Sequence, residues 1–361
     1  VNPTNTAYSG PYVISDYETS LVVKLEKNPN AALPALDFYT HKTFHIIKDQ
    51  AIAFEQFEAG KLETSNLPSD QYDFYKNHPG LRQIPGNTTF RIAINGTGSE
   101  EAQKELFPDS SWIPEPILAN QDFKSAMFFA IDRQYLAEQV LTGRTTTMYL
   151  FSNSYFVDPE MGIPYRNTEQ GQSVGDGLSP ATHGYNFDAA HALFLSAVNT
   201  EITAGNLQAG TFESWTVIDL QFNYFSNSDS QEEMFNYIKT AFELAFVDDE
   251  NYVKVELTGV ATDFPAIYYN HMMVGEFDLS IGGISGSTFH ASSFLDSFCS
   301  DNRGGFTLNW GIDTSTANIE IQYIDPISKQ VYQGLWSYDA ITSILNGEVY
   351  IIDGAEANFR K

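Results

Sequence analysis

Hydrophobic and polar positions alternate most regularly in the region between residues 217 and 283. Apolar residues at 218, 220, 222 and 224 are separated by more polar neighbours, which is the period of a strand with one buried face. Ser230 and Glu233 then form a capping box, and apolar residues every three or four positions predict a helix behind it. This apolar stripe consists of Met234, Ile238, Ala241, Phe242 and Ala245.

The same region continues with a second strand, a second helix and a third strand. Alternation predicts the strand at 253–257, the pattern at about 264–274 predicts the helix, and 277–281 is the third strand. Since β-α-β crossovers are right-handed, the three strands are predicted to be parallel, with their carboxyl ends at one edge of a sheet. Residues 282–290, which follow the third strand, are therefore expected at that edge.

The segment 277–295 joins this last strand to a loop rich in Gly, Ser and Thr. From residue 282 onward it contains no carboxylate, Lys or Arg. Loops that follow the strands of an α/β sheet are where such folds place their ligands. The composition predicts a loop that receives a ligand through hydroxyl and backbone groups and performs no chemistry on it.

Patterns elsewhere predict a strand-rich first part with one helix, followed by two further helices. Asn120 is a candidate N-cap for the strongest helix, which runs to Val140 and ends at Gly143. Its middle is apolar all round, so we expect it to be buried between other elements. Residues 166–184 are predicted to form a long loop. The remaining predicted elements are a hairpin of 12–15 and 21–25, strands at 44–47 and 90–94, a helix at 50–59 followed by Gly60, and a helix at 186–198.

Composition excludes some classes of function and leaves others open. The net charge of −27 argues against nucleic acid, since nothing would offset repulsion from phosphate, and it is typical of a solvated surface. Aromatic residues make up 14% of the chain, which suits either a large cleft or a Phe-rich core. The single cysteine, Cys299, excludes an intrachain disulfide and predicts a small buried side chain. No apolar run approaches the length of a membrane span.

Two groups of residues have the chemistry of metal ligands without the full spacing of a metal site. His41 and His45 would share one face of a strand, but no third ligand accompanies them at a recognisable spacing. The acidic run 248–250 lacks the alternating oxygen ligands and central glycine of an EF-hand. We therefore expect surface histidines, a solvated acidic turn, and no metal or other cofactor.

The run Gly283-Ile284-Ser285-Gly286-Ser287 approaches the Gly-x-Ser-x-Gly pattern of a nucleophile elbow. An elbow requires a helix directly after the serine and a histidine oriented by an acid, and neither can be located. His290 is too close in sequence to be the usual partner. A serine hydrolase stays as an alternative, whereas a glycosidase is less favoured because its two carboxylates cannot be paired from sequence.

Several short motifs follow one another along nearly the whole chain in the order of a known family. They are Gly10-Pro11-Tyr12, Lys27-Asn28-Pro29-Asn30, Ala59-Gly60-Lys61-Leu62-Glu63, Ala130-Ile131-Asp132-Arg133 and Tyr185-Asn186-Phe187-Asp188-Ala189-Ala190. With them the chain resembles the extracellular solute-binding proteins of bacterial oligopeptide ABC transporters (family 5). The motif at 130–133 is the most specific of these matches.

The resemblance implies a fold class and a domain boundary. The family fold is α/β and two-lobed, periplasmic-binding-protein-like (a flytrap fold), and each lobe is a sheet flanked by helices. The two lobes close on a peptide bound in the cleft between them. Residues 1–115 would be part of the first lobe, and 116–361 mainly the second lobe, with the parallel unit at 217–283 as its core. The precursor's export signal, an extra domain and a returning carboxyl-terminal segment would lie outside this chain.

One departure from the family concerns the ligand loop. Many members carry Trp-x-x-Asp-Tyr there, and the Asp holds the amino terminus of the peptide. This chain has Ile284, Ser287 and Thr288 at the three positions. A serine cannot make a charge-assisted hydrogen bond to an ammonium group. Either another acid supplies that contact, or the ligand is not an ordinary free peptide. Together with the motif at 305–311, this loop resembles a distinct branch of the family.

The resemblance also implies a function, that of an extracytoplasmic protein, at the cell surface or in the periplasm, that captures oligopeptides or a similar oligomer for an ABC permease. No covalent chemistry is expected, and contact with the membrane would pass through a lipid anchor outside this chain. A surface adhesin or assembly protein on the same fold is a further alternative. The residues expected to contact ligand are Ser285, Ser287, Thr288 and Phe289 of the loop, Asn95 and Gly96 across the cleft, and the exposed rings of Tyr155 and Trp310.

Overall fold

The chain divides into two compact units, Val1–Leu81 and Arg82–Lys361. This division differs from the boundary expected at residue 115, since a strand within 82–115 pairs into the main sheet of the second unit. The computed structural model describes residues 6–31, 39–84, 86–141, 143–158, 160–226, 229–286, 291–300, 314–324, 329, 331–347, 350–352 and 355–357.

The first unit consists of antiparallel strands and short helices. In chain order they are β1 (Tyr12–Glu18), β2 (Val22–Lys27), β3 (His41–His45), α1 (Gln50–Glu58) and α2 (Tyr72–Tyr75). The middle strand, β2, pairs with both others. Asp49 caps α1, because its carboxylate accepts the N–H of Ile52 at 3.0 Å. The predicted hairpin, third strand and helix are confirmed, with bounds that shift by a few residues.

The second unit contains the longer strands and helices. Its strands are β4 (Thr89–Ile94), β5 (Phe156–Asp158), β6 (Ile163–Pro164), β7 (Thr216–Phe225), β8 (Val247–Asp248), β9 (Val253–Thr262), β10 (Leu279–Ile284), β11 (Ile319–Ile324), β12 (Val331–Trp336), β13 (Tyr350–Ile352) and β14 (Ala355–Ala357). Its helices are α3 (Glu100–Leu106), α4 (Gln121–Ala130), α5 (Arg133–Tyr135), α6 (Glu169–Ser173), α7 (Phe187–Ala204), α8 (Asp229–Ala245) and α9 (Tyr338–Leu345).

A mixed sheet with strand order β4-β10-β7-β9-β8 forms the centre of the second unit. β7 pairs in parallel with β9 along its whole length and with β10 at Leu279 and Ser280. β4 is antiparallel to β10, and β8 is antiparallel to β9. The predicted parallel arrangement of the three strands is therefore confirmed.

The core of the second unit forms where α4 and α7 pack on each other and α8 packs on β7 and β9. Phe123 of α4 contacts Phe194 of α7 and the ring of Phe246, with centroids 5.9 and 5.2 Å apart. All three rings are fully buried. The expectation that the apolar helix after Asn120 is buried is confirmed, and part of the aromatic content serves this core.

The helix that begins after Asn120 is shorter than predicted. It ends at Ala130, and Ile131 has an extended backbone with φ −97° and ψ 114°. The carboxylate of Asp132 then accepts the N–H groups of Gln134 and Tyr135, so this side chain caps a new turn. The prediction of one continuous helix to Val140 is wrong because an internal Asp supplies a second helix start.

Two further segments differ from their sequence-based predictions. The predicted loop at 166–184 contains α6, together with 3-10 turns at Tyr165–Asn167 and Pro180–Thr182. The helix predicted at 264–274 is a π turn at Ile267–His271 followed by a 3-10 turn at Met272–Val274. Further short turns lie at Ser69–Gln71, Pro116–Ala119, Leu136–Val140 and Ala291–Phe298.

Candidate functional site

The carboxyl ends of the parallel strands meet at one edge of the main sheet. Phe225, the last residue of β7, pairs with Thr262, the last residue of β9. β10 points the same way and ends at Ile284. The expected position of Ser285 at this edge is confirmed, and its side chain is exposed.

β10 separates from β7 as it approaches this edge. It pairs with β7 at Leu279 and Ser280, whereas its pairing with β4 continues to Ile284. The N–H of Gly283 donates to the hydroxyl of Tyr268 at 3.2 Å. Tyr268 is buried in the π turn after β9. The hydroxyl of Tyr268 thus accepts a backbone N–H of β10 beyond the residues of β10 that pair with β7. A cleft lies between this end of β10 and the segment after β9.

The cleft has a volume of about 250 Å³. It is lined by aromatic side chains from the segment after β9 and by the end of β10. The lining residues are Phe264, Pro265, Tyr268, Tyr269, Gly283, Ile284, Ser285 and Ser297. Such crevices outside the carboxyl ends of parallel strands are the usual ligand sites of open α/β sheets.

Aromatic rings form one side of this cleft and differ in exposure. Phe264 and Tyr269 are 64% and 61% exposed, whereas Tyr268 is 7% exposed. Phe264 meets Tyr268 edge to face, with ring centroids 5.9 Å apart and planes at 87°. Phe225 lies 6.3 Å from Tyr268. The accessible ring of Phe264 is therefore held on the buried ring of Tyr268.

A small aromatic cluster supports the start of the loop after β10. It contains Tyr155, Ile284, Phe294 and Phe298, with Phe151 packed beside them. The Tyr155 ring lies 5.2 Å from that of Phe294, and its hydroxyl accepts the N–H of Gly286 at 2.7 Å. This packing positions the backbone on both sides of Ser285.

Tyr155 itself is fully buried, so the prediction of an exposed ring is wrong. Its hydroxyl donates to the carbonyl of Asn87 at 2.8 Å, and its ring packs on Phe151. Burial raises the pKa of this phenol. The aromatic character that suggested a ligand contact is used for packing beneath the loop.

Asn95 and Gly96 are also buried, and they do not face Ser285. Because β4 is antiparallel to β10, Ile94 pairs with Leu279 at the beginning of β10, far from Ile284. Asn95 is 0% exposed. The expectation that these residues face the loop across a cleft is wrong, since the strand direction sends them to the other edge.

The side chain of Asn95 makes hydrogen bonds within the protein. Its Nδ2 donates to the Gln103 side chain at 3.1 Å and to the Gly275 carbonyl at 3.2 Å. Its Oδ1 accepts from the hydroxyl of Thr97 at 2.9 Å. These bonds give Asn95 a structural role.

Four of the predicted ligand contacts lie outside the described residues: Ser287, Thr288, Phe289 and Trp310. Sequence reasoning also missed Phe264, Pro265, Tyr268, Tyr269 and Ser297. The signal for the first four was their position directly after β9, at the edge where β10 ends. It was overlooked because the apolar pattern at 264–274 was assigned to a helix.

Asp278, which begins the segment leading into β10, is a buried carboxylate. Its two oxygens accept the Nε1–H of Trp112 at 3.1 Å and the N–H of Gln221 at 2.9 Å. Burial raises its pKa to about 6, against the effect of these two hydrogen bonds, and the charges of Glu115 and Asp219 raise it further. The carboxylate joins three segments and lies away from the cleft lining.

The residues considered as metal ligands do not form a metal site. His41 and His45 are exposed on β3. Asp248 is buried, in contrast to the solvated position expected, and its carboxylate accepts the N–H groups of Glu250 and Asn251. Across the described ranges, no group of three or more His, Cys, Asp or Glu side chains could hold a metal ion.

Two other sequence expectations concern burial and the membrane. Cys299 is buried, as predicted for a small apolar side chain. In the part of the chain that the structure describes, no helix combines the length and apolar character needed to cross a bilayer.

Comparison with curated proteins finds partial matches. Oligopeptide-binding protein SarA of Streptococcus gordonii is 25% identical over 176 residues, which cover 43% of this chain and 24% of SarA.

Solved structures resemble a larger part of the chain. The substrate-binding domain of an oligopeptide ABC transporter from Bacillus anthracis matches 84% of this chain with a TM-score of 0.60 and 18% identity. Listeria monocytogenes OppA bound to peptide matches 86% with a TM-score of 0.62 and 16% identity. The matched parts are 50% and 53% of those proteins, so the chain spans about half their length.

These likenesses confirm the fold class, an α/β fold of the two-lobed periplasmic-binding type. The model of the bacterial extracellular solute-binding proteins, family 5 (middle region), matches residues 1–306 of the 361. The chain belongs to the bacterial extracellular solute-binding proteins of family 5.

Proposed function

We propose that the chain is part of an extracytoplasmic binding protein that captures oligopeptides, or a similar oligomer, and delivers them to an ABC permease. The observation that carries this proposal is the cleft at the carboxyl edge of the main sheet, in a member of a solute-binding family. SarA is an oligopeptide-binding protein, and the Listeria structure contains a bound peptide.

The cleft has groups suited to a peptide. Exposed rings of Phe264 and Tyr269 offer flat apolar area, and the end of β10 offers backbone groups and the hydroxyl of Ser285. Hydrogen bonds from backbone and hydroxyl groups fix the orientation of a ligand without demanding one side chain. Bridging waters would extend such contacts to side chains of different size.

Binding without chemistry is the proposed role, and a serine hydrolase is the enzymatic alternative. Members of the family are solute-binding proteins. A hydrolase would require a histidine to activate Ser285. Among the described residues, the Nδ1 atoms of His78, His191 and His271 are bonded to backbone groups elsewhere and not to Ser285. Ser285→Ala should therefore weaken ligand binding modestly, whereas a hydrolase would lose all turnover.

The proposed partners and location follow from the same role. A permease would receive the ligand, and a lipid anchor outside this chain would keep the protein at the membrane. The family consists of extracellular proteins, which supports a location outside the cytoplasm. Co-purification of the protein with permease subunits from membranes of the native host would test the partnership.

Native mass spectrometry of the purified protein tests the central proposal. We expect one or more oligopeptides to co-purify, and their masses would also report whether the amino terminus is free or blocked. Recovery of no ligand, together with no thermal shift across peptide and oligosaccharide libraries, would contradict capture and favour an adhesin or assembly role on the same fold.

A further inference from the structure

We infer that the cleft between the segment after β9 and the end of β10 is a subsite for one uncharged side chain of the ligand, aromatic or branched aliphatic. The inference rests on the proposed capture of an oligomer and adds which part of it this cleft takes. It follows from the size of the cleft, the chemistry of its walls and the rigidity of their support.

The size of the cleft fits one side chain. Its volume of about 250 Å³ lies below the roughly 300–1,000 Å³ of pockets that bury a whole drug-sized ligand. An apolar cavity of about 150 Å³ is enough for a benzene molecule. The cleft therefore has room for an aromatic ring with part of its backbone, and the rest of an oligomer lies beyond it.

The walls of the cleft offer apolar area and neutral hydrogen-bonding groups. Phe264, Pro265, Tyr268 and Tyr269 line one side, and the described lining residues include no Asp, Glu, Lys or Arg. A charged group that leaves water for such a surface loses its hydration and finds no partner of opposite charge among these lining residues. An uncharged ring instead gains contact with two exposed rings, where aromatic pairs favour offset or edge-to-face packing.

The aromatic wall is held in place before ligand arrives. Tyr268 is fixed at its hydroxyl by the N–H of Gly283 and at its ring by edge-to-face contact with Phe264. A preformed surface loses little conformational entropy on binding, so the selection it exerts on the ligand is stronger.

Acidic residues lie next to the lining residues in sequence, and their charges repel negatively charged ligand side chains. Asp263 precedes Phe264 and is bonded to the hydroxyl of Ser226, and Asp296 precedes Ser297; both acids are exposed. With a net charge of −27 over the chain, an anionic side chain at this position meets repulsion as well as desolvation. Negatively charged ligand side chains are therefore the least favoured.

Pentapeptides of alanine with a single Phe, Leu, Lys or Glu placed at each position in turn test the inference, with affinities measured by isothermal titration calorimetry. At one position, Phe is expected to bind about 10-fold or more tightly than Lys or Glu, with Leu close to Phe. Phe264→Ala should remove this preference, so that the Phe peptide binds no more tightly than the Lys or Glu peptide.

Phe212→Ala is the matched control. Phe212 is 75% exposed and lies on the Thr211–Ser214 turn just before β7, at the opposite edge of the sheet. This variant removes the same kind of side chain as Phe264→Ala, also from an exposed position, and should keep the full preference for Phe. Equal binding of the Lys or Glu peptide, or a preference that survives Phe264→Ala, would overturn the inference.

Small probes distinguish failure of the proposed function from failure of the proposed subsite. If no pentapeptide binds, peptide capture is contradicted, and the subsite is tested with the amides of N-acetyl-phenylalanine, N-acetyl-lysine and N-acetyl-glutamate by ligand-observed NMR. Binding of the phenylalanine probe alone, lost in Phe264→Ala and kept in Phe212→Ala, supports the subsite. Binding of none of the probes overturns it.

Discussion

The backbone N–H of Gly286 donates to the hydroxyl of Tyr155 at 2.7 Å, across 131 positions of sequence. The same hydroxyl donates to the carbonyl of Asn87 at 2.8 Å. One buried phenol therefore joins the beginning of the loop after β10 to the segment that precedes β4. This bridge determines where Ser285 leaves the sheet.

Tyr155→Phe removes this bridge and keeps the ring contacts with Phe151 and Phe294. The partly buried N–H of Gly286 and the carbonyl of Asn87 then lose their partner, so we expect the free energy of unfolding to fall by about 1–2 kcal/mol. Urea unfolding would measure the loss, and hydrogen exchange would be faster at the Gly286 amide.

The control for this variant is Tyr135→Phe. Tyr135 is 50% exposed, and removal of the hydroxyl from this half-exposed side chain should change stability by no more than about 0.5 kcal/mol. If both variants were equally stable, the hydroxyl of Tyr155 would not hold the loop.

Asp278 makes stability depend on pH. Its pKa in the folded protein, about 6, lies above the ordinary 3.8, so the folded state binds the proton more tightly than the unfolded chain. The contribution to stability is complete below the lower value and is lost as pH rises through about 6. The size of the shift corresponds to a loss on the order of 3 kcal/mol.

Asp278→Asn tests this dependence, because the amide does not titrate. One of the two donors, Trp112 Nε1–H or the Gln221 N–H, would then face the NH₂ of the Asn side chain, which cannot accept a hydrogen bond. The variant is therefore expected to be less stable than wild type at acidic pH. We expect the stability difference between wild type and variant to narrow from pH 4 to pH 7 in urea unfolding. A constant difference would assign Asp278 an ordinary pKa.

Two helix N-caps, Asn186 and Asn120, are predicted to contribute unequally to the free energy of unfolding. Asn186 caps α7 by accepting the N–H of Ala189, and Asn186→Ala should cost about 1 kcal/mol. Asn120 caps α4 and also donates from Nδ2 to the buried Glu201 at 2.8 Å. Asn120→Ala should therefore cost about 2–3 kcal/mol, since a buried carboxylate also loses a donor.

Thermal and urea unfolding of the two cap variants would measure the difference. A double-mutant cycle of Asn120→Ala with Glu201→Gln separates the contribution of the Asn120–Glu201 bond from that of the cap. Equal losses in Asn120→Ala and Asn186→Ala would show that the bond to Glu201 contributes nothing to stability.

Alanine variants of two glycines with left-handed backbone conformations would distinguish the stability cost of steric overlap from that of backbone strain. Gly205, which ends α7, has φ +81° and no atom within 4 Å of an added Cβ, so Gly205→Ala should cost about 1–2 kcal/mol. Gly275 has φ +71°, and an added Cβ would overlap the ring of Phe107. Its carbonyl accepts from Gln103 Nε2 at 2.7 Å.

Gly275→Ala must therefore move either Phe107 or a hydrogen-bonded backbone, and we expect a loss of about 3 kcal/mol or more. The melting temperatures of the two glycine variants, compared with wild type, provide the measurement. Similar melting temperatures would mean that the Phe107 ring moves aside at little cost.

Local signals in the sequence predicted many of the elements. The alternation before Phe225 and the cap at Asn120 depend on residues a few positions apart, and both are found in the structure. The break at Asp132 was missed although its signal is local, because the apolar pattern continues past the Asp that starts a new turn.

The candidate site was harder to predict because its members come from distant segments. Ser285 was identified from the strand it follows, and the structure places it in the cleft lining. Phe264 and Tyr269 join it from the segment after β9, where Ile267–His271 is a π turn and not part of an α-helix. Sequence periodicity does not distinguish these two kinds of turn over so few residues.

By itself the sequence determined the three parallel strands, the helix between the first two of them and the edge at which the last loop lies, because alternation and capping depend on neighbouring residues. Only the tertiary structure decided which other residues share that edge. The antiparallel pairing of β4 with β10 carries Asn95 to the opposite edge, and packing beneath the loop buries Tyr155. Strand direction and packing bring together residues that are far apart in the chain, so these contacts cannot be predicted from a local sequence pattern.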